Sequence, residues 1–185
     1  MIADIPGLIE GAARGHGLGT QFLRHLSRTR VILHLVEVRP LDESSPLKNV
    51  ELIERELAEY SSAMSERETW IVLTKIDELE DGELESVLQD FYSRFPGRRI
   101  FAISAMADLG LGELKENVMS ELLLMDTRLK DEEGYQDRIK NLEKRISEDV
   151  LSRSNMERSS IEKAKEIGRL EAEADGEPEV VYVKD

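Results

Sequence analysis

The chain alternates between short apolar runs and longer stretches in which apolar residues recur at helical spacing. Val31 to Val38 (VILHLVEV) is mostly apolar and rich in β-branched residues, as expected of a strand buried on both faces. Ser45-Pro46 predicts a helix start, with serine as cap and proline in the first turn. Val50, Ile53 and Leu57 then recur at helical spacing to about Tyr60. Trp70 to Leu73 predicts a second strand. Asp81-Gly82 opens a helix carrying Leu84, Val87, Leu88 and Phe91, which Pro96-Gly97 stops. Arg99 to Ile103 predicts a third strand. Gly110 to Gly112 leads into a helix bearing Leu114, Val118, Met119 and Leu122. Strand–helix alternation of this kind implies an α/β fold with a parallel sheet and helices on its faces.

The two ends of the chain read differently. Residues 7–19 hold Gly7, Gly11, Gly15, Gly17 and Gly19, a density that suits a loop presenting backbone N–H groups. Residues 20–29 look helical. Beyond Asp126 no strand is predicted. Tyr135, Ile139, Leu142, Ile146 and Val150 form a narrow apolar stripe on a charged helix, expected to pack on the domain or on a second helix. Ser152 to Ser154 is expected to interrupt that helix. Ser154 with Glu157 and Ser159 with Glu162 fit capping-box spacing, so a second helix is expected to run to about Ala174. The pattern divides the chain into a core over 1–125 and a charged helical extension over 126–185.

Composition narrows the function classes. The chain has 185 residues and no cysteine, which excludes disulfides, thiolate metal sites and cysteine catalysis. A formal net charge of −14 repels nucleic acid, so direct DNA binding is not expected. No apolar run approaches the roughly 18 residues of a membrane span. No signal peptide is evident at the start, and a cytoplasmic protein is the expectation.

Three short elements carry candidate chemistry, each at a predicted strand end. They are Asp4-Ile5-Pro6-Gly7, Thr74-Lys75-Ile76-Asp77 and Ser104-Ala105. In open α/β sheets ligands bind at the carboxyl ends of the strands, so Asp77 and Ser104 can share one site. Guanine presents N1–H and its exocyclic amine side by side, and one carboxylate, such as that of Asp77, can accept from both. Lys75 would lay its aliphatic stem along the ring. The N–H of Ala105, after Ser104, can donate to guanine O6. Asp4 suits a Mg²⁺ ion held through water. Gly7 can bring its N–H to a γ-phosphate, with Pro6 stiffening the entry. Each element alone reads as an ordinary strand-end loop. Their order and spacing resemble the last three nucleotide motifs of a Ras-like GTPase.

Residues 4–26, DIPGLIEGAARGHGLGTQFLRHL, make the resemblance specific. They closely resemble the second switch of the Obg (CgtA) family of ribosome-associated GTPases. The likeness extends over about residues 1–125, and GEPEVVYVKD at the end is similar to the acidic tail of some members. The resemblance implies a Ras-like fold that binds GTP and GDP with Mg²⁺ and hydrolyses GTP slowly. It implies work in assembly of the large ribosomal subunit and in stress control, with stress-response regulators as further partners. Asp4, Pro6 and Gly7 would serve the Mg²⁺ and phosphates. Thr74, Lys75, Asp77, Ser104 and Ala105 would hold the base. No residue is assigned a catalytic role.

The chain departs from the family pattern in three places. Thr74 stands where the base-reading motif carries asparagine; a hydroxyl can tie neighbouring loops with fewer bonds than an amide. Leu8 stands where many Ras-like enzymes place a water-orienting glutamine. No Gly-x4-Gly-Lys-Ser/Thr string occurs anywhere in the 185 residues, which also excludes a circular permutation. The expectation is therefore an incomplete Ras-like sheet without its first strand and phosphate loop, in an N-terminally truncated form with weak or absent activity. In that family the first strand lies between the third and fourth, so its loss would expose apolar edges. The alternative is a non-catalytic module that binds the ribosome or a regulator.

The remaining polar candidates carry less. His34, inside a strand, is expected to be a packed histidine, and His16 and His25 are isolated. Arg14, Arg24, Arg28 and Arg30 cluster near the glycine-rich stretch as a solvated or partner-facing face.

Overall fold

The computed structural model describes residues 29–174. Among these residues three parallel strands stand in the order β1-β2-β3: β1 (Val31–Glu37), β2 (Glu68–Thr74) and β3 (Ile100–Ala102). Between and after them come four helices: α1 (Pro46–Tyr60), α2 (Glu83–Arg94), α3 (Leu111–Asp131) and α4 (Tyr135–Ala174). This α/β arrangement is consistent with part of a Ras-like fold followed by helices. The strands pair in register, Val31 opposite Glu68 and Ile71 opposite Ile100.

Alternation along the strands sends side chains to two faces. Val36, Ile71, Leu73 and Ile100 pack with Val50 of α1 and Phe91 of α2. Trp70, Val72 and Ile103 pack with Leu114 of α3, with Val31, Leu33 and Phe101 at the margin. The sheet thus lies between α1 and α2 on one side and α3 on the other. β2 is central, which is why Trp70, Ile71, Val72 and Leu73 are fully buried. β1 is an edge among the described residues, and its Leu35 is 62% exposed.

The helix punctuation follows the residues that mark it. Ser45 occupies the cap position of α1 with Pro46 in the first turn, but its side chain makes no capping hydrogen bond. Ser45 instead uses its carbonyl, which accepts from the Asn49 N–H at 2.9 Å. Gly82 and Gly110 cap α2 and α3 with left-handed backbone, and Gly97 turns the chain after α2.

The C-terminal helices differ from the sequence expectation. α4 runs unbroken from Tyr135 to Ala174, so Ser152 to Ser154 does not interrupt it. The predicted capping boxes at Ser154 and Ser159 lie mid-helix. Serine costs a helix interior only a few tenths of a kcal/mol, too little to break a run of good helix formers. At 40 residues α4 is about 60 Å long.

The apolar stripe of α4 packs on the domain. Ile146 and Val150 are buried with Leu57 of α1 and with Ala63 and Met64 of the 3-10 turn Ser62–Glu66, and Ile32 and Leu142 flank them. Polar contacts flank this seam. The Ser61 hydroxyl donates to Asp149 Oδ2 at 2.6 Å, and Arg145 grips both oxygens of Glu66. Arg67, its side chain 4% exposed, faces Glu143 at 3.9 Å. Burial pulls the Arg67 guanidinium below its ordinary range, and Glu143 opposes that pull. Arg30 pairs with Asp126 of α3, so it is held by a carboxylate.

Candidate functional site

The carboxyl ends of all three strands are tied together, with Thr74 and Lys75 on the ties and Asp77 and Ser104 next to them. Thr74 ends β2. Its hydroxyl donates to Val36 O at 3.3 Å, and its carbonyl accepts from Val38 N–H at 3.2 Å. Thr74 thus laces β2 to β1, as a hydroxyl in place of an amide can. On the other side, Ile103 N–H donates to Leu73 O at 2.8 Å and Ile76 N–H donates to Ile103 O at 3.3 Å. Asp77 and Ser104 each lie one residue beyond that last bond, which sets the two loops side by side.

Lys75 has left-handed backbone, with φ of 59°, uncommon for a residue that carries a Cβ. The turn lets the chain leave the strand sharply into the 3-10 turn Ile76–Glu78, where Asp77 sits. Glu78 N–H donates to Lys75 O at 3.0 Å and closes the turn. The Lys75 ammonium reaches Glu37 Oε1 at 2.8 Å, at the end of β1. That carboxylate raises the Lys75 pKa above its ordinary value, with partial burial opposing. Asp77 is exposed, and among the described residues its carboxylate accepts no hydrogen bond.

Ser104 is wholly buried at the end of β3. It exchanges two backbone hydrogen bonds of 3.0 Å with Leu109, and its hydroxyl accepts from Ala107 N–H at 2.9 Å. The serine therefore folds its own loop and holds Ala105 at the surface. Ala105 N–H has no partner among the described residues. Gly110 fixes the loop's far end. A Cβ there would lie 2.1 Å from the Ala102 carbonyl oxygen, and φ is 69°, so only glycine fits. Asp108, with φ of 53°, shares the tight curvature.

Asp77 and Ala105 are thus exposed residues on neighbouring loops, and among the described residues neither the carboxylate nor the N–H has a hydrogen-bond partner. Among the described residues, no group of three or more His, Asp or Glu side chains is placed to hold a metal ion. Asp4, Pro6 and Gly7, assigned to Mg²⁺ and phosphate, lie outside the described residues, as do His16, His25 and the glycine-rich stretch. Two contributors escaped the sequence reading. Glu37 is one; only the register that sets it opposite Thr74 reveals it. Gly110 is the other; in the sequence it marks only a helix lead-in, because its close approach to Ala102 depends on the tertiary fold.

In a parallel α/β sheet the carboxyl ends of the strands are where ligands bind, and these groups lie there. Residues 1–75 match a family model described as 50S ribosome-binding GTPase. The match supports a GTPase family for that part of the chain. It includes Asp4, Pro6, Gly7, Thr74 and Lys75 and ends before Asp77 and Ser104. No described helix is long and apolar enough to cross a membrane.

Proposed function

We propose that this chain carries the guanine-reading part of an Obg-type GTPase site. Asp77 accepts from N1–H and the exocyclic amine of guanine, Ala105 N–H donates to O6, and Lys75 lines the ring. Thr74 and Ser104 hold these loops in place. One observation carries the reading: the Asp77 carboxylate and the Ala105 N–H are both exposed and uncommitted, on loops joined by the Ile76–Ile103 bond. The family match over 1–75 supports it. In this reading the bound species are GTP and GDP with Mg²⁺, and Asp4 and Gly7 serve the ion and the phosphates. The partner is the large ribosomal subunit, and the compartment is the cytoplasm.

The 185 residues hold no Gly-x4-Gly-Lys-Ser/Thr string, so the base contacts supply most of the affinity of this chain alone. Binding is then weak, and hydrolysis by this chain alone is at background. The test is titration of the isotope-labelled chain with GDP and ADP. Saturable shifts at Asp77 and Ala105 with GDP, absent with ADP, are expected. Asp77→Asn replaces an acceptor pair by one acceptor and one donor, which matches xanthine better than guanine. Equal response to GDP and ADP would overturn the reading.

One feature favours a second role. α4 contributes Leu142, Ile146 and Val150 to the core, while Met156 and Ile167 further along are exposed. The distal helix then acts as a docking arm for the ribosome or a regulator. Removal of residues 151–185 should abolish ribosome co-sedimentation while leaving the GDP response intact.

A further inference from the structure

We propose that Glu37 is a positioning residue for the base site, holding Lys75 so that its stem forms a fixed wall for the purine ring. The inference rests on the guanine reading above and deepens it.

A free lysine is a poor wall. Its four-carbon stem samples many rotamers, and a ligand must remove that freedom when it orders the side chain. Two features of the fold remove that freedom beforehand. The backbone of Lys75 is turned into the left-handed region, which redirects the stem away from the strand line. The ammonium is then anchored at 2.8 Å on Glu37. With both ends fixed, the intervening methylenes present a set surface, and less ordering remains at binding.

The anchor is well placed. Glu37 is the last residue of β1, opposite Thr74 in the register. Thr74 is tied back to β1 through Val36 O and Val38 N–H, so the spacing between Glu37 and Lys75 is set by the sheet. Glu37 and Lys75 are each about two-fifths exposed, so the pair contributes little to folding, while its geometry is dictated by buried neighbours. The anchor also keeps the ammonium on the β1 side, away from the Asp77 carboxylate, which stays available for the base. Asp77 acts on Lys75 only as a weak charge through space.

The roles separate in an experiment. GDP and inosine diphosphate differ by the exocyclic amine that Asp77 reads, while the ring wall serves both. Each is titrated into the full chain and its Glu37→Ala, Glu37→Gln and Asp77→Ala variants, with melting temperature as the control. Glu37→Ala should weaken both nucleotides by the same factor, roughly three- to tenfold, and leave their ratio unchanged. Glu37→Gln, which keeps an acceptor for the ammonium, should recover part of the loss. Asp77→Ala should instead collapse the ratio. Without nucleotide, Glu37→Ala should bring the Lys75 ammonium titration down toward its ordinary position. Unchanged GDP affinity in Glu37→Ala, with the unsubstituted chain binding normally, overturns the positioning role alone. No binding of either nucleotide by the unsubstituted chain overturns the guanine reading, and the positioning role with it.

Discussion

The two ends of β2 are built on different terms. At its amino end the chain is clamped. Met64 and Ala63 are buried under Ile146 and Val150, the Ser61 hydroxyl reaches Asp149, and Arg67 is enclosed. Trp70, just inside the strand, stacks with Phe101 at 5.2 Å, lies under the Arg99 guanidinium and donates its indole N–H to Glu68. At the carboxyl end the contacts are sparse. Thr74, Lys75 and Ile76 rely on hydrogen bonds of 3.0–3.3 Å and one exposed ion pair, and the loops use left-handed backbone at Lys75, Asp108 and Gly110. The amino end is covered by α4, whereas the carboxyl end keeps the Asp77 carboxylate and the Ala105 N–H without partners among the described residues. A binding end must keep polar groups unpaired and accessible, which conflicts with burying apolar area there.

The comparison breaks most sharply at Ile146. Its side chain is fully buried on α4, so Ile146→Ala should cost about 2–5 kcal/mol in chemical denaturation. Asp77→Ala at the other end should move stability by no more than about 0.5 kcal/mol while removing the preference for guanine. A stability loss at Asp77 equal to that at Ile146 would erase the contrast.

His34 gives the next largest effect. It lies between Ile32 and Val36 on the face that α1 covers, and burial lowers its pKa from 6.5 to about 4. The unfolded chain therefore binds a proton more readily than the folded one between these values. Stability from the neutral imidazole is full above about pH 6.5 and is lost as pH falls toward 4, by at most about 3 kcal/mol. His34→Gln should flatten that part of the pH–stability curve, and an unchanged slope would place the dependence elsewhere.

Gly110→Ala tests the site end directly. The added methyl meets the Ala102 carbonyl and the backbone is strained, at a cost of roughly 1–3 kcal/mol. Amide shifts should move at Ser104, Ala105 and Leu109. Shifts confined to α3 would mean that the glycine serves the helix alone. The smallest effect is expected for Ser61→Ala, about 1 kcal/mol from loss of one hydrogen bond to Asp149. Asp149→Ala in the same background should then add little, because the two share that bond.

Much of this was legible in the sequence because it is local. Dense β-branched residues at 31–38 and 70–73 mark strands in any context, and Gly82, Gly97 and Gly110 mark turns because few other residues adopt their backbone. Strand alternation alone put Asp77 and Ser104 at strand ends, and so proposed a common site. The stripe of Ile146 and Val150 allows packing on the body or on a second helix, since a stripe shows that a helix has a buried face without naming what covers it.

Only the tertiary structure chose the partners. It continued α4 through Ser152 to Ser154, where a weak local signal loses to the helix formers around it. It also set Glu37 against Lys75, residues far apart in sequence and joined by strand register. It pressed Gly110 onto Ala102, which turned a permissive residue into a required one. Periodicity fixes which face of an element is apolar, because that depends on neighbours a few residues away. Which element meets that face, and which polar groups stay uncommitted at the ends, depends on how the whole sheet closes.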